Sequence, residues 1–293
     1  MPGSTVRELI VMGHFLTGRI PAVPKQALAW YASTVIQAAD SSRMNLGLQG
    51  RIVLVTGGVR GVGAGISAVF AGQGAIVVTC ARRPVEGLPF EFHSCDVRDP
   101  DAVAVLIDTI VAEHGRLDAV VNNAGGSPYA LAADASPRFH QKIIELNLLG
   151  MLHVSQAANA VMQGQDHGGS IISISSISGS RPSPGTAAYG AAKAGVDSLT
   201  ASLAVEWAPK VRVNALVVGL VATEQAELYY GDSDSQAVVA STIPLGRLAQ
   251  PAEIGWATAF LASDAASYIS GATLAVHGGG EPPPYLSASS ANK

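Results

Sequence analysis

Ser176, Tyr189 and Lys193 are the residues whose types and spacing could do chemistry together. Tyr189 and Lys193 stand at i and i+4 in a run of alanines and glycines, so on a helix both project from one face. A free phenol titrates near pH ~10, too high to exchange protons usefully at neutral pH. A neighbouring ammonium favours the phenolate and would bring the group towards the range where general acid–base catalysis is efficient. A serine hydroxyl both donates and accepts, so Ser176 could hold a carbonyl or alcohol oxygen beside the phenol. The implied chemistry is proton exchange at a carbon–oxygen centre. Tyr-x-x-x-Lys alone is a weak pattern, and its weight comes from the elements around it.

Those three side chains must meet where a strand ends and a helix begins. Ile171, Ile172 and Ile174 form an apolar, β-branched run that reads as a buried strand ending at Ser176. A Ser/Gly/Pro loop follows, then a helix from near Tyr189 to about Ala208. Before this come a strand at Arg51–Thr56, a glycine loop, a helix to about Gln73, and strands at Ala75–Cys80 and Phe90–His93. A helix at Asp99–His114, a strand at Leu117–Val121 and a helix at Pro137–Met162 complete the first half. Val211–Val218 and Thr273–Val276 read as the last strands, with a helix at Pro251–Leu261 between them. This alternation predicts an α/β fold, a doubly wound parallel seven-stranded sheet with right-handed crossovers. It occupies one domain over residues 44–281.

Residues 223–246 lack a strong period and carry Tyr229, Tyr230, Asp232 and Asp234, which reads as an irregular lid. The Pro- and Ser-rich residues 282–293 read as a loose tail. Residues 1–43 differ from the rest and read as a variable arm, or as sequence upstream of a start at Met44. A mild amphipathic helix around 25–39 is predicted, and covering a neighbouring subunit or a membrane surface is the sharper alternative. Gly13 and His14 interrupt the apolar stretch near residue 10, a poor fit to a signal peptide.

Composition narrows the class. In 293 residues, 48% are hydrophobic and 14% charged, which suits packed helix–sheet layers and argues against disorder. A net charge of −4 leaves no basic footprint, so nucleic acid is not an expected partner. No apolar run reaches the roughly 18 residues that span a bilayer, so no membrane partner is expected. Cys80 and Cys95 match neither a metal-type spacing nor a disulfide framework. A reducing, cytoplasmic location follows as the default, with no metal.

The loop Gly57-Gly58-Val59-Arg60-Gly61-Val62-Gly63 joins the first strand to its helix. Backbone amides and a helix N-terminus in that place suit a pyrophosphate. Its spacing departs from the Gly-x-Gly-x-x-Gly fingerprint, and a plain strand–helix turn is the competing reading. Further along stand Asp96-Val97, Asn122-Asn123-Ala124-Gly125, Asn147, Ser176, Tyr189-x-x-x-Lys193 and Arg212-Val213-Asn214. Together, in this order, over about residues 46–280, they resemble the short-chain dehydrogenase/reductase family, in particular its 3-oxoacyl reductase and hydroxysteroid dehydrogenase-like members.

The resemblance implies a Rossmann-type fold and a role for each matching residue. Tyr189 would be the general acid in reduction and the base in oxidation. Lys193 would lower the Tyr189 pKa and hold the nicotinamide ribose, and Ser176 would position the substrate oxygen. Asn147 would hold a water linking Lys193 to solvent; as an asparagine on an apolar stripe it could equally be a satisfied core residue. Gly57, Gly61, Val62 and Gly63 would cradle the phosphates. Asn123, Ala124 and Gly125 would line the adenine-ribose side, Asp96 would bond the adenine amino group and Val97 would pack on its ring. The family's Pro-Gly is here Val218-Gly219; Gly219, Val221 and Thr223 still match and would contact the nicotinamide. His277 departs from the family's usual acidic residue and reads as a surface detail.

Cofactor choice rests on charge. An acidic residue at the end of strand two would accept from a ribose 2′-hydroxyl. That slot holds Ala81, then Arg82, while Arg60 sits in the glycine loop. Two guanidiniums there suit a 2′-phosphate, so NADP(H) is expected over NAD(H), against the competing reading that Arg82 and Arg83 face solvent. The expected activity is hydride exchange between the nicotinamide and a secondary alcohol/ketone pair on a mostly apolar small molecule: an acyl thioester, a steroid-like ring or a simple ketone. A nucleotide-binding scaffold without turnover is the rival from another class, and the intact Ser176–Tyr189–Lys193 set argues against it. An epimerase or dehydratase would need a larger C-terminal domain. Family relatives are commonly dimers or tetramers, so a homo-oligomer is expected.

Overall fold

Ile52–Thr56 (β1) has no polar face to show to water, and all five residues are buried, as a parallel strand covered on both sides requires. In the computed structural model, which describes residues 45–85, 87–288 and 290, six further strands join it. They are β2 (Ile76–Ala81), β3 (Glu91–Ser94), β4 (Ala119–Asn122), β5 (Gly169–Ser176), β6 (Val211–Val218) and β7 (Thr273–Val276). Every pairing is parallel and the order is β3-β2-β1-β4-β5-β6-β7. The seven-stranded doubly wound sheet is thus as expected. The chain runs outward from β1 and then crosses back to β4, so a crevice opens at the carboxyl ends of these two strands. Expectations for residues 1–43 lie outside the described residues.

Alternation along β1 builds two cores. Val53 and Val55 face one layer with Ile66, Val69 and Phe70 of α1 (Gly61–Gly72) and Ile254 and Leu261 of α8 (Pro251–Ala262). Ile52 and Leu54 face the other, with Leu106, Ile107 and Ile110 of α2 (Pro100–His114). Completing that second layer are Val154 and Ala158 of α4 (Gly150–Gly164) and Leu203 of α5 (Ala187–Glu206). The ends of α2 follow from its sequence: the Asp99 carboxylate accepts from the amides of Asp101 and Ala102, and Gly115 closes it in a left-handed conformation.

Two family-motif residues brace the fold. Arg212 donates to the carbonyls of Leu261, in the last turn of α8, and of Ser263 and Ile269 beyond it. Asn214 donates to the Ile269 carbonyl at 2.8 Å and accepts from the Ala272 amide at 3.0 Å, tying β7's approach to β6.

Three expectations change. The single helix expected from Pro137 to Met162 is α3 (Pro137–Ile144), a π turn over Glu145–Leu149, then α4. Hydrophobic period cannot register one wider turn inside a rod. The segment expected to be irregular contains α6 (Ala226–Tyr230) and α7 (Ser233–Ser241), the latter started by an Asp232 cap on the Ser235 amide. The tail expected to be loose includes a short helix, α9 (Pro284–Ala288). Among the described residues no helix is long and apolar enough to cross a membrane.

Candidate active site

A cleft of about 580 Å³ opens over the carboxyl ends of the central strands. Ser176, Tyr189 and Lys193 line it, together with every residue expected to touch a cofactor: Gly57, Arg60, Gly61, Val62, Gly63, Arg82, Asp96, Val97, Asn123, Ala124, Gly125, Gly219, Val221 and Thr223. Of the predicted site residues, Asn147 alone is not at the wall.

At the catalytic end, Ser176 closes β5 and its hydroxyl accepts from the Ser178 amide at 3.1 Å, fixing the short 3-10 turn Ile177–Gly179. Tyr189 lies in the first turn of α5, and the Lys193 ammonium one turn on is 5.5 Å from the centre of its ring. The Lys193 side chain is buried and its Nζ donates to the Ile174 carbonyl at 2.6 Å.

Here the electrostatics depart from the expectation. Burial pushes the Tyr189 phenol above its ordinary range, a hydrogen bond with Ser176 opposes this, and Tyr230 and Tyr229 add to the rise. Burial also pulls Lys193 down to about 7, with the Asp197 carboxylate pulling the other way. Lys193 therefore does not hold the phenol acidic in the ligand-free protein. Desolvation of both groups outweighs their attraction.

The side chain of Asn147 is committed to backbone. Its oxygen accepts from the Gly126 amide at 2.8 Å, and its nitrogen donates to the carbonyls of Gly126 and Ile143, both at 2.9 Å. Both amide hydrogens are used, so it pins the segment after β4 to the π turn. Asn123 is likewise a brace: its amide donates to the carbonyls of Thr56 and Gly57 at 3.0 and 3.2 Å, while the Thr56 hydroxyl accepts from the amides of Asn123 and Ala124.

The other end fits a dinucleotide. A Cβ on Gly63 would sit 2.2 Å from the Gly57 carbonyl oxygen and 2.5 Å from the Asn123 amide nitrogen, so only glycine lets α1 begin this close to β1. Residue 60 caps α1 without a side-chain hydrogen bond, leaving amides for an anion. One of them, on Gly61, donates to the Glu224 carboxylate at 3.2 Å. Asp96 sits beside the cleft in a bidentate pair with Arg98, which holds its carboxyl below the usual range, and Arg82 adds to that effect.

Residues 57–281 match the family model described as enoyl-(acyl carrier protein) reductase. The chain belongs to the short-chain dehydrogenase/reductase family. It is 38% identical to oxidoreductase UcpA of Escherichia coli O157:H7 over 258 residues, 82% of this chain and 98% of that one. It is 39% identical to cis-4-hydroxycyclohexanecarboxylate dehydrogenase of Sinomonas cyclohexanicum over 242 residues, 78% of this chain and 96% of that one. The ligand-free structure of Thermoplasma acidophilum aldohexose dehydrogenase superposes with a TM-score of 0.77 at 32% identity, covering 85% of this chain and 98% of that one. This family member is an NAD(P)-dependent oxidoreductase that moves a hydride between the nicotinamide and an alcohol/ketone pair.

Sequence reasoning missed several wall residues: Arg181, Thr186, Glu224 and Gln225. Arg181 and Thr186 lie in the loop between Ser176 and Tyr189, and that position was the available signal. His277 is not a plain surface residue: its backbone lies against Gly219, where a Cβ would come within 2.8 Å of the His277 Cα, and its Nδ1 is buried.

Proposed function

We propose that this enzyme uses NADP(H) in preference to NAD(H) to interconvert a secondary alcohol and its ketone on a cyclic or aliphatic framework. The observation that carries this is one cleft joining a glycine cradle to the Ser176–Tyr189–Lys193 cluster. When bound, the nicotinamide supplies or accepts the hydride. Ser176 accepts or donates a hydrogen bond to the substrate oxygen. Tyr189 gives its hydroxyl proton to that oxygen in reduction and takes one from the alcohol in oxidation. Lys193, in the protonated form, stabilises the phenolate left behind.

Arg60 and Arg82 both line the cofactor end, and a guanidinium pair there favours a 2′-phosphate over a 2′-hydroxyl. Asn147 orients the Gly125–Gly126 backbone next to Lys193. The two relatives that act on a hydroxycyclohexanecarboxylate and on an aldohexose, by name, support a ring-borne secondary alcohol. Open side chains on β7, Leu274 among them, support self-association into a homo-oligomer. The test is a screen of cyclic and aliphatic alcohols and ketones with both nicotinamides, read by nicotinamide absorbance. Turnover lost in Tyr189→Phe is the expected result; turnover kept in that variant overturns the assignment.

A further inference from the structure

We infer that the substrate of this cleft bears a carboxylate and that Arg181 is its anchor, an inference that rests on the oxidoreductase reading above. Four cations line the cleft among the described residues: Arg60, Arg82, Arg181 and Lys193. Arg60 precedes α1 and Arg82 follows β2, both on the cofactor side. Lys193 is buried beside Tyr189, over its ring and bonded to the Ile174 carbonyl, and serves the reacting end. Arg181 lies five residues after Ser176, in the loop that leads into the Tyr189 helix, and is the cation left on the substrate side.

Its guanidinium is already arranged for a carboxylate. Nη1 donates to the Pro182 carbonyl at 2.8 Å, which orients the plane. Nε lies 2.8 Å from Oε2 of Glu281 without an aligned hydrogen bond to it. Glu281 is about as exposed as Arg181, with side-chain exposures of 39% and 34%, and follows three glycines with positive φ, so its carboxylate can exchange the arginine for water at small cost. A substrate carboxylate would then take Nε and Nη2 together, the two parallel donors that a guanidinium presents to such a group. Tyr229 and Tyr230 supply apolar wall for the ring or chain between that carboxylate and the reacting carbon. No bond is made or broken at Arg181. It selects and orients.

The test compares 3- and 4-hydroxycyclohexanecarboxylates with their methyl esters, using the full chain and both nicotinamides. A charge-assisted hydrogen bond at a partly open site supports an expectation of about tenfold higher kcat/KM for the acids. Arg181→Met should remove that preference, raising KM for the acids about tenfold more than for the esters; Arg181→Lys should restore part of it. Glu281→Gln should lower KM for the acids, because it removes the internal competitor. Equal use of acid and ester by the wild type overturns the inference, as does an Arg181→Met loss that falls equally on both, which marks a latch between loop and C-terminal segment only. Turnover of esters but not acids sinks the anchor and leaves the oxidoreductase reading intact. Turnover of neither, here and in the wider alcohol screen, sinks both.

Discussion

The Lys193 ammonium donates to the carbonyl oxygen of Ile174 at 2.6 Å, inside a pocket that leaves 2% of the residue exposed. One carbonyl does not replace the water this charge has lost, so the folded pKa falls to about 7 from an unfolded value near 10.5. Between those values the unfolded chain binds the extra proton, and stability therefore rises with pH across that window. Below about pH 7 both states are charged and the full cost of burial remains.

Lys193→Met should accordingly stabilise the ligand-free protein while abolishing turnover. The gain at pH 7 should be on the order of 1–4 kcal/mol, since each pKa unit is about 1.4 kcal/mol and the Ile174 carbonyl loses its donor. Urea unfolding at pH 7 and 9 checks this. The wild type should gain stability on going to pH 9, and the variant should not. A variant less stable than wild type at pH 7 would mean that the ammonium is well solvated.

Tyr189→Phe removes the hydroxyl and keeps the ring, so cofactor affinity should change little while kcat falls by about 10²- to 10⁴-fold. Burial raises the Tyr189 phenol, and this gives the two directions opposite pH behaviour. Alcohol oxidation needs the phenolate and should climb with pH through the alkaline range. Ketone reduction uses the phenol, which stays protonated at neutral pH, so its rate should fall above about pH 7 only as Lys193 loses the proton that stabilises the phenolate left behind. Initial-rate pH profiles in both directions measure this.

How much was legible in the sequence follows from what period and motif can carry. The strands β6 and β7 fall at the expected residues because short runs rich in apolar and β-branched side chains each close on a glycine turn, Gly219 after β6 and Gly278 after β7. The cleft wall was legible because family motifs fix strand ends. The π turn under Asn147 was not, since one wider turn leaves the hydrophobic stripe almost unchanged. Nor were the pKa directions of Tyr189 and Lys193. Spacing shows that two groups are neighbours, but only burial decides whether attraction or desolvation dominates. The partner of Asp96 was adjacent in sequence and still unread: Arg98 claims its carboxylate.

Arg82 offers the cleanest test of cofactor choice, because it lines the cleft just past β2 and its charge is felt by Asp96. Arg82→Ala should weaken NADPH binding by about tenfold or more, the value of a lost charge-assisted contact, and leave NADH within about threefold. Fluorescence titration of both nicotinamides on both proteins measures the ratio. An equal loss for the two would assign Arg82 to a general electrostatic role, and tighter NADH than NADPH binding by the wild type would overturn the NADP(H) preference.

Glu224 makes the opposite contribution at the same loop. Its carboxylate accepts from the Gly61 amide at 3.2 Å, at the N-terminus of a helix with no side-chain cap of its own. A pyrophosphate would seek that amide and be repelled by that charge, so the two compete for one donor. Glu224→Gln keeps the shape and removes the charge. It should tighten NADP⁺ and NAD⁺ alike by about two- to fivefold, the scale of a charge at an exposed helix end. The gain should fade in high salt, where such an exposed charge is screened. Affinity that falls instead would mean that the carboxylate braces the loop and the lid segment carrying Tyr229 and Tyr230, rather than standing in for the phosphate.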